Sequence, residues 1–242
     1  MPITICFDFG NTRKKAAIFN GKKFLEGIVL NDETTETISG LIDRFHPDRS
    51  ILSSVINHDL KMEELLSSKT KFHKLGHLSK LPFTTPIGKP ETIGADRLAL
   101  SAAAVKFFSK KNNLVIGLGT CITYNFINKY NEFLGGAISP GMEMRLKSLH
   151  QFTAKLPLIS AESNIPLIGY DTKTNILTGV MMGMAKEIDG FIEAYKDKYR
   201  NFNVVLTGGD LVYLESHLKN KIFADPELIF KGLYAISEVN NP

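Results

Sequence analysis

Short apolar runs, each cut off by glycine, asparagine or proline, punctuate this chain from its start. Ile3 to Phe9 is β-branched and aromatic and stops at Gly10-Asn11, and Ala16 to Phe19 resumes the apolar pattern before a second turn at Asn20-Gly21. Two such runs around a turn predict a β-hairpin. The form returns with Leu114 to Leu118, a turn at Gly119-Thr120, and Ile122 to Ile127, ahead of the polar Asn128-Lys129-Tyr130-Asn131. A hairpin opening each half predicts a duplicated architecture, with one domain over residues 1–113 and a second over 114–242.

Between the hairpins, Glu36 to Phe45 and Leu60 to Ser67 have helical spacing, and Ile51 to Ile56, after the break at Pro47, reads as a buried strand. Leu81 to Pro90 holds three prolines and a glycine, which a regular element does not tolerate. An alanine-rich helix follows from Ala95. Past the second hairpin the pattern predicts a turn at Gly135-Gly136, a short strand, and Pro140-Gly141 leading into an amphipathic helix from Met142 to Phe152. Thr174 to Tyr199 is the longest helical pattern. Its apolar positions Ile176, Val180, Met184, Ile188 and Phe191 exceed one buried stripe and predict a two-fold dimer. Asn203 to Leu206 reads as a strand ending at Thr207-Gly208-Gly209. Strands alternating with helices place the fold in the α/β class.

Composition narrows the function. Of 242 residues, 43% are hydrophobic and 22% charged, which excludes a disordered or fibrous chain. The net charge of +4 is scattered over short runs such as Arg13-Lys14-Lys15, Lys22-Lys23 and Lys110-Lys111. That distribution argues against a nucleic-acid partner and suits an anionic small molecule. Cys6 and Cys121 lie in apolar runs with neither a disulfide framework nor a metal clip. No stretch reaches the ~18 apolar residues of a membrane helix, and MPITICFDFG has no leader character. The expectation is a cytoplasmic protein with no membrane partner, complete from its first strand. The six histidines lack any paired ligand spacing, Met181, Met182 and Met184 read as packing, and the basic segment Lys69 to Lys80 reads as amphipathic surface.

Five motifs stand at strand exits or helix starts, where ligands collect in α/β folds. Asp8-Phe9-Gly10-Asn11-Thr12 is either an ordinary hairpin turn or a phosphate-binding loop. In the second case backbone N–H groups and the Asn11 and Thr12 side chains approach phosphate, Arg13, Lys14 and Lys15 neutralise charge, and Asp8 holds hydrated magnesium. Gly94-Ala95-Asp96-Arg97 is either a helix start with a carboxylate in its first turn or a general base beside an orienting arginine. Gly119-Thr120, Gly135 to Gly141 and Thr207-Gly208-Gly209-Asp210 leave room for a ligand or for close backbone packing.

The order of these motifs is more specific than any one of them. DFGNT, GADR, a strand ending in GT, GGAISPGM-x-M-R-L, YDT-x-x-x-x-x-x-G and TGGD resemble the type III pantothenate kinases over essentially the whole chain. The resemblance implies the actin-like ATPase fold, two ribonuclease-H-like domains around a nucleotide cleft, and a homodimer that phosphorylates pantothenate with ATP and Mg2+. It places ATP on Asp8, Phe9, Gly10, Asn11, Thr12, Arg13, Lys14, Lys15 and Thr120. It places pantothenate on Gly94, Ala95, Asp96, Arg97 and Thr172, with Asp96 as proton acceptor. Two positions depart from the family pattern. Gly117 stands where an aspartate usually binds K+ or NH4+, and Ile87 stands where a tyrosine usually contacts substrate. The first departure keeps two alternatives in view: a nucleotide-binding regulatory or transcription accessory member of the family, and a different small-molecule kinase on the same fold.

Overall fold

The structure, a computed structural model, describes residues 1–241. The chain divides into two compact units. Met1–Lys110, the short stretch Tyr130–Leu134 and the segment from Glu227 form the first, and Lys111–Lys129 with Gly135–Pro226 form the second.

The first unit is built on a five-stranded sheet in the order β3-β2-β1-β4-β5. Its strands are β1 (Ile3–Phe9), β2 (Lys14–Asn20), β3 (Lys23–Leu30), β4 (Arg49–Ser54) and β5 (Lys71–Lys74). The expected hairpin is β1 antiparallel to β2, with Asp8 opposite Lys15, while β1 runs parallel to β4 with Asp8 level with Ser53. Alternation along β1 sends Ile5, Phe7 and Phe9 to one face. There they join Ile38 and Leu41 of α1 (Thr35–Phe45) and Met62 and Leu66 of α2 (Leu60–Lys69) in one apolar cluster. Both helices start on sequence-encoded caps: Thr34 accepts from the Thr37 N–H and Asp59 from the Lys61 N–H. α3 (Ala95–Phe107) and α7 (Leu228–Asn240) pack together and onto β4, with α7 also on β1. Ala99, Ala102, Ala103 and Ala104 are all fully buried, so α3 presents an almost side-chain-free face for close packing.

The second unit repeats the plan. Its sheet has the order β10-β9-β6-β7-β8, from β6 (Asn112–Leu118), β7 (Cys121–Ile127), β8 (Phe133–Pro140), β9 (Phe202–Gly208) and β10 (Phe223–Ala224). β6 is antiparallel to β7 and parallel to β9, as β1 is to β2 and β4. α4 (Met142–Gln151), α5 (Thr172–Lys198) and the short α6 (Leu211–Leu214) complete it. α5 begins at Thr172 because Asp171 and Thr174 form a reciprocal capping box.

Three readings need correction, and a fourth is sharpened. The division at 113/114 misses that the segment from Glu227 belongs to the first unit, through the packing of α7 on α3. Gly135-Gly136 is no turn but lies inside β8, with φ of 100° and 151°. A Cβ on Gly136 would stand 1.8 Å from the Tyr124 carbonyl oxygen, so the glycine serves strand contact. The α5 stripe Ile176, Val180, Met184 and Ile188 is buried in this chain's own core, and Phe191 stacks on Tyr124 with ring centroids 4.1 Å apart. It offers no apolar surplus to a partner. Finally, part of the basic surface segment is the edge strand β5. Among the described residues no helix is long and apolar enough to cross a membrane.

Candidate active site

In the first unit the site grows from the ends of β1 and β4 and the start of α3. Asp8 is the next-to-last residue of β1, flanked across the sheet by Lys15 and Ser53. Register partners share a face, so the three form a row pointing away from the apolar cluster of Phe7 and Phe9. The hairpin that follows is tight: the Gly10 N–H donates to the Arg13 carbonyl at 3.1 Å. Asn11, Thr12 and Arg13 are exposed at its tip, and Phe9 is buried in the core beneath. Lys14 is held by an ion pair with Glu33, so of the three basic residues Lys15 is the one opposite Asp8.

The GADR segment supplies the second carboxylate. Gly94 is the N-cap of α3 without a side-chain cap bond, and Ala95 and Asp96 open the helix. Asp96 accepts backbone N–H bonds from its own amide and from Arg97. Its carboxylate folds back over Gly94, where an added Cβ would stand 2.5 Å from its Oδ1. Any side chain at 94 would therefore push the Asp96 carboxylate off its perch. Asp96 thus stands in the first turn of α3, as the helix-start reading of the tetrapeptide expects. Arg97 lays its guanidinium over the Phe133 ring, 5.5 Å from the centroid. Ile87 lies in the preceding loop, its N–H donating to Thr85 Oγ1 at 3.2 Å.

Asp8 feels the charge of Asp96. Burial first, and then the negative charge of Asp96, push the Asp8 carboxyl up to about 7, with Lys15 opposing the shift. Burial also raises Asp96, against the lowering effect of the Arg97 N–H and guanidinium. A half-buried carboxylate in that condition gains from a cation. Beside it lies a buried hydroxyl, Ser53 Oγ, without a hydrogen-bond partner. No group of three or more His, Cys, Asp or Glu side chains among the described residues could cage a metal. Magnesium, which keeps most of its waters and needs one or two carboxylates, fits this donor set, with Asp8 as the protein ligand.

The second unit brings the remaining candidates into two places. The β6–β7 turn is pressed by the β8–α4 junction: the Gly141 N–H donates to the Thr120 carbonyl at 3.0 Å. A Cβ at Gly141 would stand 2.0 Å from the Gly119 carbonyl oxygen. Arg145 locks that junction, its Nε donating to the Pro140 carbonyl at 2.8 Å and its guanidinium binding Ser139 Oγ and Glu187, which also accepts from the Tyr124 hydroxyl at 2.9 Å. Gly117 lies one residue inside the turn, level with Thr123 and Thr207, and brings no charge. A monovalent cation that relies on a carboxylate there does not fit these residues. Thr172 lines an open groove of about 650 Å³ with Arg145, Ser148 and Asn175. Arg145 sits in the MRL stretch of the sequence pattern, yet only the side-chain geometry reveals what it holds, and nothing in the sequence signals Ser53.

Two sheets of matching strand order, each opened by an antiparallel hairpin, give the α/β actin-like fold that sugar kinases share. A glucokinase from an Antarctic psychrotroph superposes with a TM-score of 0.51 at 9% identity over 97% of this chain and 98% of that one. A Campylobacter jejuni protein described as a Baf family transcriptional activator gives a TM-score of 0.62 at 24% identity, over 98% of both chains. These likenesses concern the fold alone. The sequence goes further. The family model for type III pantothenate kinase matches residues 4–194. A type III pantothenate kinase of Christiangramia forsetii is 41% identical over 98% of this chain and 99% of its own, and one of Bacteroides fragilis is 38% identical over 99% of both. The chain belongs to the type III pantothenate kinase family, an ATP-using family of kinases.

Proposed function

We propose that this enzyme transfers the γ-phosphoryl group of ATP to the primary hydroxyl of pantothenate, giving 4'-phosphopantothenate and ADP, the first step of coenzyme A biosynthesis. The observation that carries the reading is the Asp8–Asp96 pair: two carboxylates, both raised by burial, one on a strand end beside a tight hairpin and one at a helix start. Phosphoryl transfer asks mainly for positioning and charge neutralisation. Asp96, fixed by two N–H bonds, accepts the hydroxyl proton as the hydroxyl oxygen attacks the γ-phosphorus and the bond to the β-phosphate oxygen breaks. Its raised proton affinity brings it closer to the operating pH, where a general base works best. Gly94, Ala95 and Arg97 line the acceptor, with the Arg97 guanidinium facing its carboxylate end. The backbone of Gly10 to Thr12, together with Arg13 and Lys15, holds the triphosphate. Thr120 contacts ATP from the second unit, and Thr172 contacts pantothenate. Magnesium, held through Asp8, supplies charge neutralisation. K+ or NH4+ has no carboxylate to bind at Gly117.

The alternative, a regulatory member without kinase activity, rests on Gly117 alone and leaves the carboxylate pair unexplained. Purified protein given ATP, magnesium and pantothenate, and assayed for ADP and phosphopantothenate, decides between them. Product formation is expected, and nucleotide binding without turnover would remove the kinase reading.

We further infer a homodimer. Its support is the segment between α4 and α5, where Phe152, Leu167, Ile168 and Tyr170 are 77–82% exposed. Large apolar side chains left this exposed between residues 152 and 170 support association with a second copy. Light scattering should give about twice the 26.9 kDa of one chain, and a monomer at micromolar concentration would refute it.

A further inference from the structure

β4 carries serines at positions 50, 53 and 54, and their hydroxyls are not equally satisfied. Ser50 Oγ lies 2.5 Å from Thr70 Oγ1, and Ser54 Oγ lies 3.0 Å from His58 Nδ1 and donates to the Ile56 carbonyl. Ser53 is as buried as Ser50, with 0% exposure, and its hydroxyl has no hydrogen-bond partner. A buried hydroxyl left unpaired is uncommon and calls for a reason, of which an unaccounted ion or water is one. An alanine would fill the same place in the strand without that penalty.

The reason lies in the register. Ser53 is level with Asp8 on the adjacent parallel strand, and Asp8 is level with Lys15 on the other side. The unpaired hydroxyl is therefore on the Asp8 face of the sheet, in the row whose centre is the carboxylate that suits magnesium. Ser50, three residues away, is on the opposite face with the α1–α2 cluster. A magnesium ion bound by one carboxylate keeps several waters, and those waters need acceptors and donors around them. Outer groups of this kind orient the ion as much as its direct ligands do.

We propose that Ser53 is a positioning residue of the site, its hydroxyl hydrogen-bonding a water of the magnesium ion held through Asp8. This rests on the reading of Asp8 as the magnesium ligand. Its role would be to orient the hydration shell of an ion bound at Asp8, as outer groups do.

The test uses the whole protein, stripped of metal and without nucleotide. Mn2+ serves as the probe, free Mn2+ is read by electron paramagnetic resonance, and Tm is followed alongside. In Ser53→Ala the Kd for Mn2+ should rise about tenfold, at the lower end of outer-sphere effects, with Tm unchanged or higher because an unpaired hydroxyl is gone. Ser50→Ala is the control and should lower Tm while leaving the Kd alone. An unchanged Kd in Ser53→Ala, or a loss of Tm like that of Ser50→Ala, overturns the proposal. Asp8→Asn separates the two layers. If it leaves Mn2+ binding intact, the Asp8 assignment itself falls; if it abolishes binding while Ser53→Ala does nothing, only the role of Ser53 falls.

Discussion

The two sheets share strand order and pairing, yet at one matching position they differ completely. Asp8 is the next-to-last residue of β1, between Lys15 and Ser53; Gly117 is the next-to-last residue of β6, between Thr123 and Thr207. One row holds a carboxylate, an ammonium and an unpaired hydroxyl. The other is neutral throughout. The duplicated scaffold keeps the strand-end geometry in both copies, while this row carries charge in the first unit only. In the second unit the matching turn is braced by the β8–α4 junction, where the Gly141 N–H donates to the Thr120 carbonyl.

That contrast can be broken at its strongest point first. Asp96→Asn keeps the helix start but cannot accept a proton, so kcat should fall by roughly 10² to 10⁴ with the Tm near that of the parent. Retention of more than a third of the turnover would reduce Asp96 to a helix-start residue. Gly141→Ala attacks the other unit through its backbone. A methyl 2.0 Å from the Gly119 carbonyl must displace the turn, and KM for ATP should rise by about 10- to 100-fold. An unchanged KM would mean that the Gly119-Thr120 turn does not touch the nucleotide. Gly117→Asp makes the two rows alike and should bring a few-fold response to potassium or ammonium. Assays of the parent and the variant with and without each salt check this, and strong potassium activation of the parent would show that a cation is held without a carboxylate at this position.

The smallest effect is a titration. The Asp8 carboxyl sits at about 7 in the native protein, against an unfolded value of about 4. The native state therefore binds the proton more tightly. This stabilisation is fully present below the unfolded value and is lost as the pH climbs through 7. Asp96, also raised, acts in the same direction. Without metal, the Tm should fall between about pH 4 and about pH 7, Asp8→Asn should flatten that slope, and magnesium should restore the Tm on the alkaline side. Calorimetry across this range reads all three, and a slope unchanged in Asp8→Asn would contradict the buried Asp8 carboxyl as its cause.

How much of the molecule is legible in its sequence depends on where the physics is local. Hairpins announce themselves through apolar runs around glycine and asparagine, and α1, α2 and α5 through periodicity, while the Thr34, Asp59 and Asp171 caps that fix their first residues lie outside that reading. β3 escapes such a reading because it is an edge strand that alternates half-buried and exposed residues, its apolar positions interrupted by Glu26 and Gly27. α7 lacks a side-chain cap and is apolar nearly all round, with Leu228, Phe230, Leu233, Tyr234 and Ile236 buried. Its return to the first sheet is a long-range fact that no window of sequence contains. The Asp8 and Asp96 candidates stand out through their motifs. The proximity of Asp8 and Asp96, and the pairing of Lys14 with Glu33 rather than with an open site, need coordinates.

The return of α7 also sets an order of events during synthesis. Its Gly232 lies so close to α3 that a Cβ would stand 1.9 Å from the Ala99 carbonyl oxygen, and Asn241 ties its end to the Ser50 and Lys71 carbonyls. On the ribosome, the strands bearing Asp8 and Ser53 emerge first, yet the alanine face of α3 beside them stays uncovered until the whole second sheet has been made. The unit that begins translation is thus the last to close, and a nascent chain halted before Glu227 should expose that face to chaperones rather than display a working pair of carboxylates.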